Sequence, residues 1–262
     1  LMSQLISCPF DFNEFKKIWN SGGLNEDIDV INNLVENNPL LHETLWMQGN
    51  ALAVLDIKTM QYPLILGDVE KVCGWSKEYF YAVGVEGYLS KFLPADLLGL
   101  GEFSKQINAY LPALSQQQIK QFRSIYDYQM VGQDGSVRRV CQEGLPLKTD
   151  AEGHIVYLLA YVSDITHFKR EGKQHICLSG GAAARLVEVN NATNRSKELT
   201  MLSKREQEIA KLLGKGLLSE QIASQLFISV NTVNTHRQNM LKKFGVADTT
   251  ELLNFIKIYR LI

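Results

Sequence analysis

The chain has little that stiffens or crosslinks a backbone. Its 262 residues include only six prolines and four cysteines. Cys8, Cys73, Cys141 and Cys177 lie far apart, with no Cys-x-x-Cys pair, which argues against a disulfide framework or a local zinc site. The five histidines are equally scattered, so no sequence-local metal cluster is expected. The longest apolar run, residues 155–162, has eight residues, whereas a membrane span needs about 20. No basic segment followed by an apolar one opens the chain, so the expectation is a cytoplasmic protein without a membrane anchor. Glycine-rich phosphate loops and nucleophile–base patterns are missing too, so no enzyme is expected.

Charge is unevenly spread. Residues 197–262 carry a net +4 and the other 196 residues a net −5. A basic tail on an acidic body suits a chain of which one part meets a polyanion. The length fits about two domains.

Four segments are legible. Residues 1–45 are expected to form a helical extension, with Phe12, Phe15, Ile18 and Trp19 on one face. After a break at Gly22-Gly23, Ile28, Ile31, Leu34 and Val35 form a second stripe. Residues 46–168 read as α+β: strand-like runs at 51–57 and 62–66, helical stretches over 69–120, then runs at 122–131, 137–147 and 155–162. Residues 169–198 have linker composition, with 176–178 and 186–189 placed to pair as a hairpin around Gly180-Gly181. Residues 199–262 read as four helices.

The tail is the most informative segment. Ser203 and Glu206 form a capping box ahead of Ile209, Ala210, Leu212 and Leu213. A second helix from Ser219 carries Ile222, Ala223 and Leu226. Phe227-Ile228-Ser229 breaks it, and Ser229 caps a third helix with Val233, Met240 and Phe244 on one face. A fourth starts near Asp248 with Leu252, Leu253, Phe255 and Ile256. Two short helices joined by a tight turn place the second in a DNA major groove. Asn231, Asn234, Thr235 and Gln238 lie on its outward face, and Asn or Gln pairs with adenine through two hydrogen bonds. Thr232, Asn231, Arg237, Lys242, Lys243 and Lys215 are candidates for phosphate contacts, which orient without reading sequence. Spacing alone also fits a helical bundle with a polar solvent face.

Four stretches carry a resemblance: Leu202-Ser203-Lys204-Arg205-Glu206-Gln207-Glu208-Ile209, Gln221-Ile222-Ala223-Ser224-Gln225-Leu226, Ile228-Ser229-Val230-Asn231-Thr232-Val233-Asn234-Thr235-His236, and Lys242-Lys243-Phe244-Gly245-Val246. Over these the tail resembles the C-terminal domain of LuxR/FixJ-type transcription regulators. The resemblance implies double-stranded DNA as partner, base contacts from Asn234, Thr235 and Gln238, and pairing of the fourth helix in a homodimer. The family often has Lys where Asn234 stands, so adenine contacts are expected there. His236 also matches the family, and is expected to be a helix-packing residue in preference to a base contact.

Residues 46–168 resemble a PAS domain through Val72-Cys73-Gly74-Trp75-Ser76-Lys77-Glu78-Tyr79, Asp134-Gly135-Ser136-Val137-Arg138-Arg139-Val140 and the ending Asp164-Ile165-Thr166. That implies a five-stranded antiparallel sheet curled around a helical pocket. No histidine lies between His42 and His154, which disfavours haem, and Cys73 sits in Val-Cys-Gly-Trp rather than the setting of a covalent flavin. The cofactor stays unknown: an organic ligand, or none. Tyr62, Tyr81, Tyr88, Phe92, Tyr126, Tyr128, Tyr157 and Tyr161 are candidate pocket residues and equally candidate core. Val54-Leu55-Asp56-Ile57 superficially resembles a receiver's phosphate-accepting strand, but residues 1–20 offer no acidic pair ending a strand. The expectation is a regulator whose PAS domain senses a small molecule or a protein and controls the tail. In the alternative, the PAS domain is a ligand-free interaction or dimerisation module and a partner protein controls the tail.

Overall fold

Alternating apolar residues bounded by tight turns set the frame of the sheet. In a computed structural model, residues 35, 38, 40–169, 172–181, 183–191 and 195–262 are described. Most of the expected N-terminal extension, including all of its first stripe, lies outside them.

The chain runs α1 (Leu41–Gln48), β1 (Asn50–Asp56), β2 (Gln61–Gly67), α2 (Val69–Cys73), α3 (Lys77–Leu89), α4 (Pro94–Tyr110), a 3-10 turn, α5 (Gln116–Ile119), β3 (Arg123–Val131), β4 (Val137–Thr149) and β5 (Ile155–Asp164). Then come β6 (Gln174–Ser179), β7 (Arg185–Asn190), β8 (Arg195–Leu199) and four helices, α6 (Lys204–Gly214), α7 (Ser219–Leu226), α8 (Val230–Phe244) and α9 (Thr249–Ile258). The strands form one sheet in the order β2-β1-β5-β4-β3-β6-β7-β8, and every neighbouring pair is antiparallel.

The first five strands, with helices between β2 and β3 over one face, give the PAS-like α+β unit that the sequence implies. Its turns use the motif residues. Asp134 accepts from Ser136 and Arg138 in the β3–β4 hairpin, where Gly135 takes φ +76°. Thr166 donates to Asp164 at 2.5 Å and accepts from the Arg139 amide at 2.9 Å, tying the end of β5 to β4. Ser76 caps α3. Within α3, Gly84 breaks the helix at φ +60°. A Cβ there would lie 2.7 Å from the Met60 carbonyl oxygen, so only glycine admits the approach.

Where a linker with a hairpin is expected, the hairpin forms, with Ile176 opposite Val187 and Cys177 opposite Leu186, but the segment continues the sheet and is no free linker. β6 pairs with β3, and β7 and β8 follow. The inward Ile176 and Leu178 of β6 and Val187 and Val189 of β7 pack under Phe103, Ile107 and Tyr110 of α4. Helix α4 therefore spans both parts of the sheet.

The other face is covered at both ends. Leu45 of α1 packs on Leu52, Val54, Val156 and Tyr157. At the opposite end the four-helix tail packs on Ile125, Cys141, Ile165, Cys177 and Leu186, which share one core with Leu252, Phe255 and Tyr259 of the tail.

Candidate nucleic-acid interface and sensing cavity

Three of the four tail helices start on a capping side chain. Ser203 and Glu206 close the capping box, Ser229 accepts from the Thr232 amide at 3.0 Å, and Asp248 caps α9. Ile209, Ile222, Val233, Met240, Phe244 and Leu252 are almost completely buried between the helices. This fixes α8 with Asn231, Thr235, Gln238 and Lys242 exposed. Spacings of four, three and four residues put them on one stripe.

The candidate base-reading residues differ in freedom. Gln238 is exposed. Thr235 is exposed but donates to the Asn231 carbonyl at 2.9 Å. Asn234 is half-buried, and its Oδ1 accepts from the Ser219 hydroxyl at 3.0 Å. Helix α7 thus positions the amide, a contact that sequence reasoning missed because it joins two helices.

Among the candidate phosphate contacts, Lys242 and Lys215 are exposed, and Arg237 is half-buried. Thr232 is engaged with Ser229, hydroxyl to hydroxyl at 2.8 Å. Lys243 is a correction. Its ammonium donates to Glu206 at 2.6 Å and to the Met201 carbonyl at 3.3 Å. Burial opposes the Glu206 charge, but Lys243 and the Ser203 amide outweigh it and lower that carboxyl's pKa. Lys243 braces the tail internally instead of projecting towards a phosphate.

Inside the PAS-like unit two adjoining cavities, of about 50 and 40 Å³, lie between the sheet and α2–α4. Both are lined by Leu55, Tyr62, Tyr88 and Gln142, the first also by Phe92 and Tyr126 and the second by Cys73. Tyr128 lies behind this wall. It stacks on Phe92, with ring centres 4.1 Å apart, and donates to Gln142 at 3.2 Å. Its hydroxyl also pairs with that of Tyr88. Burial, above all, pushes the Tyr62, Tyr88, Tyr126 and Tyr128 hydroxyls above the usual phenol range. Burial likewise pushes the Cys73 thiol up to about 12. At neutral pH these groups stay uncharged, offering hydrogen bonds but no ionised nucleophile.

Three of the candidate pocket tyrosines are corrected. Tyr157 and Tyr161 sit on the opposite face of β5, with Leu45 and Val54, because Leu158, Ala160 and Val162 take the inward positions. Tyr81 is exposed, and its hydroxyl accepts from the Ile65 amide at 2.9 Å. Gln142 was missed, although a polar residue between Val140 and Gly144 at inward positions was a readable signal. Asp150, Glu152 and His154 come together in the β4–β5 turn, which the Asp150–His154 hydrogen bonds close.

The tail's fold and outward stripe define a helix-turn-helix DNA-binding domain. Residues 200–256 match the family model of bacterial regulatory proteins, luxR family, so the tail is a LuxR-type domain. The Fimbriae Z protein of Escherichia coli is 36% identical over 76 residues, 29% of this chain and 36% of that protein. The chain thus spans about a third of the length of the curated relatives it matches. Among solved structures, the PAS domain of a Colwellia psychrerythraea protein aligns over 51% of this chain and 98% of its own, at 16% identity and TM-score 0.37. Vibrio cholerae VqmA, a dimer of the LuxR-type receptors, aligns over 87% of this chain and 88% of its own, at 16% identity and TM-score 0.31. At such scores neither likeness bears on function, and the PAS-like assignment rests on the strand arrangement and motifs. Among the described residues no helix is long and apolar enough to cross a membrane.

Proposed function

We propose that this chain is a sequence-specific transcription regulator that binds double-stranded DNA as a dimer through its tail. The observation that carries this reading is the exposed stripe of Asn231, Thr235 and Gln238, with Asn234 beside it, on a helix capped by Ser229. Asn234, Thr235 and Gln238 read bases, Lys242, Lys215 and Arg237 meet phosphates, and the PAS-like unit supplies the control. The test is enrichment from a random-sequence duplex pool by the full chain. A two-fold-symmetric site is expected, and Asn234→Ala or Gln238→Ala is expected to relax it by about 1–3 kcal/mol per lost base contact. No enrichment under any condition would refute the reading.

The cavity favours a small, neutral organic signal. Its walls are apolar, its polar groups are uncharged donors and acceptors, and its volume is small. Such pockets combine apolar walls with a few polar groups that orient the ligand. The same small volume also favours the second reading, in which the PAS-like unit is a ligand-free interaction module and a partner protein controls the tail. Mass spectrometry of the denatured, freshly purified protein separates the two: a stoichiometric small molecule supports the first, its absence the second.

A further inference from the structure

A charged cluster lies buried where the tail meets the sheet. Its centre is Asp127 of β3, which is fully buried. Carboxylate oxygen Oδ1 accepts from the Tyr259 hydroxyl at 2.5 Å and from the His175 amide at 2.9 Å. Oδ2 accepts from Arg139 at 2.5 Å and from Lys169 at 2.8 Å. Lys169 also donates to the Lys173 carbonyl at 2.6 Å and to the Tyr259 oxygen at 3.0 Å. Tyr259 directly follows α9, 132 residues from Asp127 in sequence, and is itself fully buried. Phe255 of α9 packs edge-on against His175, with ring centres 4.9 Å apart. At the rim, Arg260 pairs with Glu143 at 2.6 Å, and Asn254 donates to the Phe168 carbonyl at 3.2 Å.

We propose that this cluster is a latch: the Tyr259–Asp127 contact holds the DNA-binding tail on the sheet in an orientation that opposes DNA binding, and the cavity controls its release through β3 and β4. The latch half rests on the observed contacts alone, while the control half rests on the proposed reading of tail and cavity. Three observations support it. First, docking seats Phe255 and Tyr259 against His175 and Asp127 but leaves Asn231, Thr235 and Gln238 of α8 exposed. The latch therefore fixes where the tail points and covers α9, without masking the base-reading stripe. Two tails reading half-sites about 34–36 Å apart must take one set separation, which docking on the sheet prevents them from choosing freely. Second, successive residues of a strand face opposite sides. Tyr126 of β3 lines the cavity, Tyr128 backs its wall, and Asp127 between them faces the tail. On β4, Gln142 faces the cavity while Cys141, its neighbour and the register partner of Asp127, joins the tail core. Third, the face that parts carries the Asp127 carboxylate, the Lys169 ammonium and the Tyr259 hydroxyl, groups that water solvates on exposure, which favours reversible release.

Tyr259→Phe in the full chain tests the proposal, because it deletes one donor and keeps the ring. Asp127 retains Arg139, Lys169 and the His175 amide, so folding is preserved. Losing a hydrogen bond to a charged acceptor shifts the docking equilibrium by about tenfold or more. Hydrogen exchange at 252–260 and 174–179 is expected to speed up by that factor, and affinity for the enriched site is expected to rise several-fold. Arg260→Ala, which removes only an exposed rim pair, is expected to change both little. Unchanged exchange in Tyr259→Phe would overturn the latch. Faster exchange with unchanged or weaker DNA binding would overturn its opposition to binding. If neither chain enriches any sequence, the DNA-binding reading fails, while exchange still decides the latch.

Discussion

Asp127→Asn is the severest single test of the buried cluster. It removes one negative charge and leaves Arg139 and Lys169, whose side chains are 5% and 2% exposed, facing an amide. Two magnitudes bound the effect. Burial opposes the Asp127 charge, but Lys169 and then Arg139 outweigh it, and the carboxyl is lowered from 3.8 to about 2. At about 1.4 kcal/mol per unit, the ionised carboxylate contributes on the order of 2–3 kcal/mol to stability. Since the folded pKa is depressed, this contribution is present above the ordinary value of 3.8 and is lost as pH falls through about 2. Removing the charge at neutral pH costs more, about 3–5 kcal/mol, because two cations are stranded. Adding Lys169→Met removes one of them, so the double variant is expected to be more stable than the single losses sum to, by about 1–3 kcal/mol. Urea unfolding followed by two probes reads this. All three tryptophans, Trp19, Trp46 and Trp75, precede the tail, so their fluorescence reports the N-terminal part, while circular dichroism also reports the tail helices. The wild type is expected to give coincident curves. In Asp127→Asn the dichroism transition is expected to move to lower urea, ahead of fluorescence. Coincident curves with a loss under about 1 kcal/mol would show that the cluster does not join the two parts.

Two further outcomes are expected. Asp96, buried at the start of α4, accepts from the Gln129 amide and from Asn191, and burial raises its carboxyl to about 6. Because that is a raised carboxyl, its stabilising share is full below the ordinary 3.8 and is lost as pH rises through about 6. Asp96→Asn is therefore expected to flatten the stability profile between these values and to be more stable than wild type at neutral pH; an unchanged profile in thermal scans would refute this. Ser219→Ala frees the Asn234 amide without touching the outward stripe. It is expected to cost about 0.5–1.5 kcal/mol of discrimination, measured by competition between matched and mismatched duplexes, with affinity for random duplex unchanged; equal losses on both would show that Ser219 acts on the fold.

The sequence made the tail legible because its signals are local. Caps at Ser203 and Ser229, glycine at 245 and a 3.6-residue apolar period all act within a few residues. The PAS-like strands were legible for the same reason, through short runs and hairpin turns. The pocket was only half legible. In residues 155–162 both faces are apolar, since α1 covers the outer one, so alternation could not tell Tyr157 and Tyr161 from the inward Leu158 and Ala160. Lys243 looked free because its partner Glu206 is 37 residues away. The hairpin of β6 and β7 was legible at 176–178 and 186–189, but its pairing with β3 is non-local, and the polar composition of residues 190–198 hid β8. The latch had one local trace, a charged residue within Ile125-Tyr126-Asp127-Tyr128, but its partners converge only in the folded chain.

That the docking face is charged at its centre bears on how it works. Replacing a buried ion cluster by packed apolar residues is often neutral or stabilising, so stability alone does not call for Asp127, Arg139 and Lys169 there. An apolar face of the same area would dock the tail as well, but on release it would expose that area to water at about 25 cal/mol per Å². A charged centre regains hydration when it opens and tolerates few orientations when it closes, because Asp127 accepts from four donors at fixed angles. Docking of this kind is specific without being permanent. A contact between Tyr259 and one strand residue is then a reasonable point at which to govern a tail whose base-reading stripe is already exposed.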